Sequence, residues 1–322
     1  MRMLFFILLG FSQSFLAQNA VWPEQLEVTA SSLKLREAPN LDAAVLTTIP
    51  QGAKVENISI LGKERVWDKI DGMGAYWMHL IYKGQTGYAF GAYLKPEFCL
   101  FYENLIADYV PKVKNWYGVY STPKGDELRK ITVYISMDSV EMSGALVPIL
   151  HTNDEAQSKF VIGTDRELKS GIIGDYYLRH NQWGPGNNFR YELGPGKTVA
   201  LNSLFESLQL PGGFYEILCT GSFTVGPKWL EQHDFKIWAT EKQTYNGAYS
   251  NKQDLSPYFS PNDQTCTLKW WGDLDGDNKP DVLIGRCATG EGGCTDYLFL
   301  SSKAETGEML HPVTLFYHGL GC

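Results

Sequence analysis

TCTLKWWGDLDGDNKPDVLIG, residues 265–285, places an acidic nine-residue loop between two apolar runs. Thr265–Trp271 and Asp281–Gly285 read as strands, so the stretch is a β-hairpin whose tip carries charge. Carboxylates fall at loop positions 1, 3, 5 and 9: Asp273, Asp275, Asp277 and Asp281. Alternating residues of a tight turn can converge on one point, and a hard cation such as Ca²⁺ takes about six to eight oxygens at about 2.3–2.6 Å. The backbone carbonyl of Lys279, at position 7, is a further candidate ligand. Without a cation these carboxylates repel one another; the alternative is an acidic surface turn that holds no metal. Four anionic ligands neutralise much of the ion's charge, so its expected role is to order the hairpin rather than to activate water. Position 12, where a helix-flanked calcium loop carries a bidentate glutamate, is Ile284.

The D-x-D-x-D pattern bridging two strands resembles the FG-GAP or integrin-α-like calcium loop. That resemblance implies a glycine at position 6, where this chain has Asn278, a residue that also tolerates positive φ. Gly276 adds freedom at position 4. The loop occurs once, which excludes a propeller built from such repeats.

Working outward to the N-terminal side, Glu27–Pro96 is a series of short strands separated by turn residues. Leu33 and Leu35, then Val45, Thr47 and Ile49, alternate as half-buried strands do. Pro39-Asn40, Pro50-Gln51-Gly52 and Lys83-Gly84 mark the turns. The pattern predicts a small all-β barrel. LKLREAPN (33–40), IPQGAKVEN (49–57) and YWMHLIYKGQTGYAFGAYL (76–94) resemble a bacterial SH3 (SH3b) domain. The resemblance implies that Arg36 and Pro39 brace the loop before the next strand and that Gly84, Gly87 and Tyr88 form the closing hairpin. Ala38 stands where the family usually has glycine. It further implies a cell-wall, peptide or glycan ligand, with Trp67, Tyr76, Trp77, Tyr88 and Tyr93, together with Phe90, as candidate contacts. Aromatic side chains bury large area at small entropic cost, which suits such recognition. The competing role is barrel core, since alternate strand positions point inward. Tyr88 and Phe90 have the same parity and are expected to share a face.

Residues 97–115 read as a connector. FYENLIADYVPKVKNW (101–116) spaces Leu105, Ile106, Tyr109, Val110 and Val113 at helical period, interrupted by Pro111; a strand is the alternative. From residue 116 to the end the text is β-rich again, with Gly, Pro, Asn and Asp between short apolar runs, as in a sandwich or open barrel. One long loop, 171–189, offers Tyr176, Tyr177, Arg179, His180 and Trp183 as a second possible contact surface. The expected architecture is therefore mainly β: an SH3-like barrel (27–96), a β-sandwich or open-barrel region, and a C-terminal antiparallel hairpin set carrying the loop at 273–281.

Composition narrows the function classes. A net charge of −8 and no Lys/Arg run argue against a nucleic-acid partner. Residues 1–17 have a basic start and an apolar run from Leu4 to Leu9, which predicts an export signal cleaved after Ala17; the run is too short to span a membrane. An uncleaved anchor is the alternative. Export to a periplasmic or extracellular space permits disulfides, and the cysteine spacing suggests a local Cys287–Cys294 bridge and a Cys266–Cys322 tie among 15 possible full pairings. No nucleophile elbow, HExxH, phosphate loop or dinucleotide fingerprint occurs. The six histidines are dispersed, and Cys99, in PEFCLFY, lacks the setting of a papain-like nucleophile. The leading expectation is an exported, calcium-stabilised, non-enzymatic binding protein. A hydrolase acting on cell-wall or polysaccharide substrate, with its site in the middle β region, is the alternative.

Overall fold

Leu33 and Leu35 alternate with Ser32, Lys34 and Arg36 along Ser32–Arg36, and both leucines are buried. In this computed structural model that strand lies in an antiparallel sheet ordered Val45–Pro50, Ser32–Arg36, Gln85–Phe90, Met73–Tyr82, Lys54–Asn57, Gln25–Val28 and Leu94–Pro96, with Trp67–Ile70 added along Met73–Tyr82. The structure describes residues 25–59, 66–105, 110–139, 146–174, 182–183, 198–210, 213–225, 230–244, 246–259, 263–288 and 293–318. The expected leader at 1–17 lies outside them. Ile49 from one edge strand and Leu94 from the other enter the same core as Leu26, Val28, Leu35 and Leu80, so the sheet curls round on itself. A register shift at Leu35/Arg36 pairs Leu35 with Thr47 but Arg36 with Val45. It breaks the expected alternation, and Val45 faces solvent while Ile49 stays inside.

Asn115–Thr122, the centre of the second sheet, pairs with Gly125–Ile131 on one side and Phe160–Thr164 on the other. Gly171–Gly174 and Phe98–Phe101 complete the five strands. Phe98–Phe101, inside the stretch read as connector, is thus a strand with all four residues buried. The helical reading of 101–116 is corrected: among the described residues of that stretch there is no helix. Tyr102, Val110 and Val113, outside any strand, and Trp116, in Asn115–Thr122, pack against the core of this sheet, while Ile106 and Tyr109 lie outside the described residues. Pro111, which lacks an N–H, and the pull of Tyr102, whose hydroxyl donates to Asp296 at 2.5 Å, favour that course. Val133–Ser139 and Leu146–Thr152 pair with each other as a two-stranded ribbon.

Thr198–Leu210, Gly213–Val225, Leu230–Lys242 and Tyr249–Asp254 form a third, four-stranded sheet. The last sheet is the antiparallel set expected from sequence: Asp263–Gly272, Asp281–Ala288, Cys294–Leu300 and His311–His318, with Gln182–Trp183 on its edge. Both of its faces are covered. Trp270, Leu283, Leu298 and Leu300 pack with Phe98, Tyr117 and Phe160 of the five-stranded sheet. Leu268, Trp271, Ile284 and Phe299 pack with Ile217 and Ile237 of the four-stranded sheet. Every residue of Cys294–Leu300 is accordingly buried. The acidic hairpin belongs to the middle layer of a three-sheet stack.

Cys287 and Cys294 stand directly opposite each other in this sheet and form a disulfide, as the spacing suggested. Cys322, the expected partner of Cys266, lies outside the described residues. Cys266 is buried, in the same core as Cys219 of the neighbouring sheet. The Cys287–Cys294 loop is short, so the double Cys287→Ser/Cys294→Ser variant is expected to lose about 2 kcal/mol in urea unfolding. Wild type in excess reductant should show the same loss, and equal midpoints for all three samples would mean the bridge adds nothing.

Candidate metal centre

Asp281 opens its strand at the start of the buried hairpin arm, which carries its carboxylate into the interior. Oδ2 accepts from the Leu274 N–H at 2.7 Å, and Oδ1 accepts from the Ser301 N–H at 2.9 Å and its hydroxyl at 3.2 Å. Asp273, just past the other arm, folds the loop round itself. Its oxygens accept from the N–H groups of Gly276, Asp277 and Asn278 at 2.8, 3.1 and 3.0 Å. That wrap needs left-handed backbone at Gly276 (φ 81°) and Asn278 (φ 63°), the two positions singled out from sequence. Backbone N–H of Asp273 is itself anchored on the Ile173 carbonyl at 2.9 Å.

One oxygen each from Asp273, Asp275 and Asp281 comes within 4.8 Å of the others. Asp275 is the decisive member. Its side chain is 0% exposed, with Oδ2 accepting from the Ser302 hydroxyl and lying 3.7 Å from the Arg166 guanidinium. Its Oδ1 is buried with no hydrogen-bond partner. A buried carboxylate oxygen without a donor is costly and calls for a cation or a proton. Burial, followed by the Asp275 charge, pushes the Asp281 carboxyl well above the usual carboxylate range. Burial also raises Asp273, with Asp277 and Asp275 adding repulsion. All-oxygen donors, convergent and anionic, suit a hard divalent ion such as Ca²⁺.

Asp277 does not join the trio. It accepts from the Lys279 N–H at 2.8 Å and from the Ser301 hydroxyl at 3.0 Å and 3.1 Å. Lys279, whose backbone carbonyl is the expected ligand, is an exposed residue. Sequence reasoning missed Ser301, Ser302 and Arg166, which hold three of the four aspartates. The only signal for the serines was strand register: Val282 pairs with Phe299, which brings the end of the next strand beside the loop.

The barrel aromatics divide between two faces. Trp67 pairs with Tyr76 across adjacent strands, and such pairs share a face. Trp67 is 54% exposed and its ring lies across Gly74, where a β-carbon would come within 2.6 Å of it. Trp77 pairs with Phe90 and His79 with Tyr88 on the opposite face. Trp77, at 5% exposed, is interior: its ring meets Phe90 edge-on and its indole donates to Asp68 at 3.3 Å. The expectation that it contacts ligand is corrected by that burial, and Phe90 is interior for the same reason. Tyr88 packs with Phe90 as parity predicted and stacks on His79 at 4.5 Å. Tyr93 packs beside both clusters and donates to Asp71 at 3.3 Å. The Arg36 guanidinium donates to the Ala43 carbonyl at 2.7 Å, bracing the turn as the resemblance implied. Of the second expected surface, Tyr176, Tyr177, Arg179 and His180 lie outside the described residues; the backbone of Trp183 pairs with Cys266.

Residues 31–95 match the family described as Bacterial SH3 domain. The match covers about a fifth of the chain and coincides with the curled N-terminal sheet, so the chain carries an SH3-like domain at its N-terminus. No curated protein and no solved structure matches the chain. Among the described residues no helix is long and apolar enough to cross a membrane.

Proposed function

We propose that this chain is an exported, non-enzymatic binding protein whose SH3 domain contacts cell-wall peptide or glycan and whose β stack is stabilised by one calcium ion. The observation that carries the binding part is Trp67, a large exposed ring seated on Gly74 beside Tyr76 within a domain of a ligand-binding family. A rigid, exposed indole is a common energetic anchor in recognition surfaces. The buried, donorless Asp275 oxygen supports the calcium part. The Cys287–Cys294 bridge supports export, since such bridges persist mainly in oxidising compartments.

Co-sedimentation with purified peptidoglycan tests the binding part. Wild type should be retained and Trp67→Ala should bind about tenfold more weakly, a loss of about 1.4 kcal/mol, with an unchanged melting temperature because the ring is largely exposed. Equal retention of both proteins would remove Trp67 as the anchor. Release of soluble fragments would favour a hydrolase instead.

A further inference from the structure

Between the four-stranded sheet and the middle sheet lies a partly open cavity of about 140 Å³, walled on one side by Lys279, Pro280 and Ser301 of the acidic hairpin region. Its other walls carry Tyr215, Glu216, Glu241, Trp271 and Glu308. The size is close to the about 150 Å³ of a cavity that admits a single benzene-sized ring.

The lining chemistry is selective. Glu216 is already paired with Lys242 at 2.9 Å. Glu308 accepts from the Tyr258 hydroxyl, the Glu305 N–H at 3.0 Å and His311 Nδ1 at 2.8 Å. Glu241 differs: its carboxylate accepts one long bond, from Tyr215 at 3.3 Å, and no cation lies on it among the described residues. Trp271 is 3% exposed, and its indole N–H has no hydrogen-bond partner. The wall thus combines a half-buried carboxylate with spare acceptor capacity, a buried donor in need of an acceptor, and two aromatic rings.

We propose that this cavity is a second binding site, separate from the SH3 domain, for one hydroxylated six-membered ring bearing a cationic amine, that is, an amino-sugar unit. Glu241 takes the ammonium or adjacent hydroxyls, Trp271 donates to a ring oxygen, and Tyr215 and Trp271 cover the ring's apolar edges. Glu241, the wall carboxylate with no cation on it among the described residues, disfavours an anionic sugar by repulsion. The enclosed volume suits one ring.

Titration of the full chain with glucosamine, glucose and glucuronate tests the site. The readouts are the ¹H–¹⁵N indole resonance of Trp271, assigned from Trp271→Phe, and calorimetry, which needs no assignment. Glucosamine should shift that resonance saturably and bind at least tenfold more tightly than glucose, with no saturable response to glucuronate. Glu241→Gln should weaken glucosamine about tenfold while its remaining amide spectrum matches wild type. No saturable glucosamine binding, glucosamine binding no tighter than glucose or glucuronate, or binding unchanged by Glu241→Gln would each overturn the proposal.

Discussion

Trp270→Ala is expected to destabilise the protein by about 4 kcal/mol, within the range for removing a buried tryptophan. The ring is fully buried in the core joining the five-stranded and middle sheets, edge-on to Phe160 at 5.4 Å. Gly272 leaves room for it; a β-carbon there would meet the indole at 2.4 Å. Its N–H donates to Asp126 Oδ2 at 3.1 Å, and Asp126 is itself buried, held also by Lys159 at 2.7 Å and Ser121 at 3.3 Å. Alanine therefore opens a cavity and also takes one donor from a buried carboxylate. Trp270→Phe retains most of the packing and should cost about 1–2 kcal/mol, mostly the lost hydrogen bond. Urea unfolding measures both. A loss below about 1 kcal/mol for the alanine variant would mean that the two sheets do not share this core.

Calcium is expected to raise the melting temperature, and Asp275→Asn to abolish that response while stabilising the metal-free protein. Two carboxylates about 5 Å apart repel by about 3 kcal/mol at the effective dielectric of a protein site. The trio of Asp273, Asp275 and Asp281 meets that condition, with Arg166, at 3.7 Å from Asp275, as a distant counter-charge. A bound divalent ion turns the repulsion into attraction. At a free concentration one hundred times its Kd it adds about 2.7 kcal/mol, or roughly 4 °C for a chain of this size. Asparagine removes one negative charge and one ligand together. The variant should melt at one temperature in millimolar calcium and in EDTA, above EDTA-treated wild type and below calcium-loaded wild type. Magnesium should do less, because it requires a tighter octahedral shell than this loop offers. Identical melting of wild type in calcium and in EDTA would leave the loop as an acidic turn braced by Ser301 and Ser302.

Local features were legible in the chain itself. Turn chemistry located Gly84 and the left-handed Gly276 and Asn278, since few residues adopt positive φ without strain. Period-two alternation placed Leu33 and Leu35 inside, and the spacing of Cys287 and Cys294 suggested their bridge. Alternation failed at Val45, where a register shift intervenes, and the helical spacing at 101–116 misled because the two ends of that stretch belong to the strands Phe98–Phe101 and Asn115–Thr122. Trp77 could not be told from Trp67 by residue type: one lies on the face that packs against Phe90, the other on an exposed added strand.

The amino-acid sequence alone determined a β-rich chain, an N-terminal SH3-like domain and one acidic hairpin with the donor types of a hard-cation site. Only the tertiary structure decided that this hairpin sits in the middle sheet, with neighbouring Trp270 and Trp271 committed to different cores. It alone brought Ser301, Ser302 and Arg166 to the aspartates and opened the cavity lined by Glu241. The physical reason is that residue type and periodicity report each residue's local preference. Which surfaces cover a sheet, and which distant donors reach a loop, depends on strand register and layer order across more than a hundred residues.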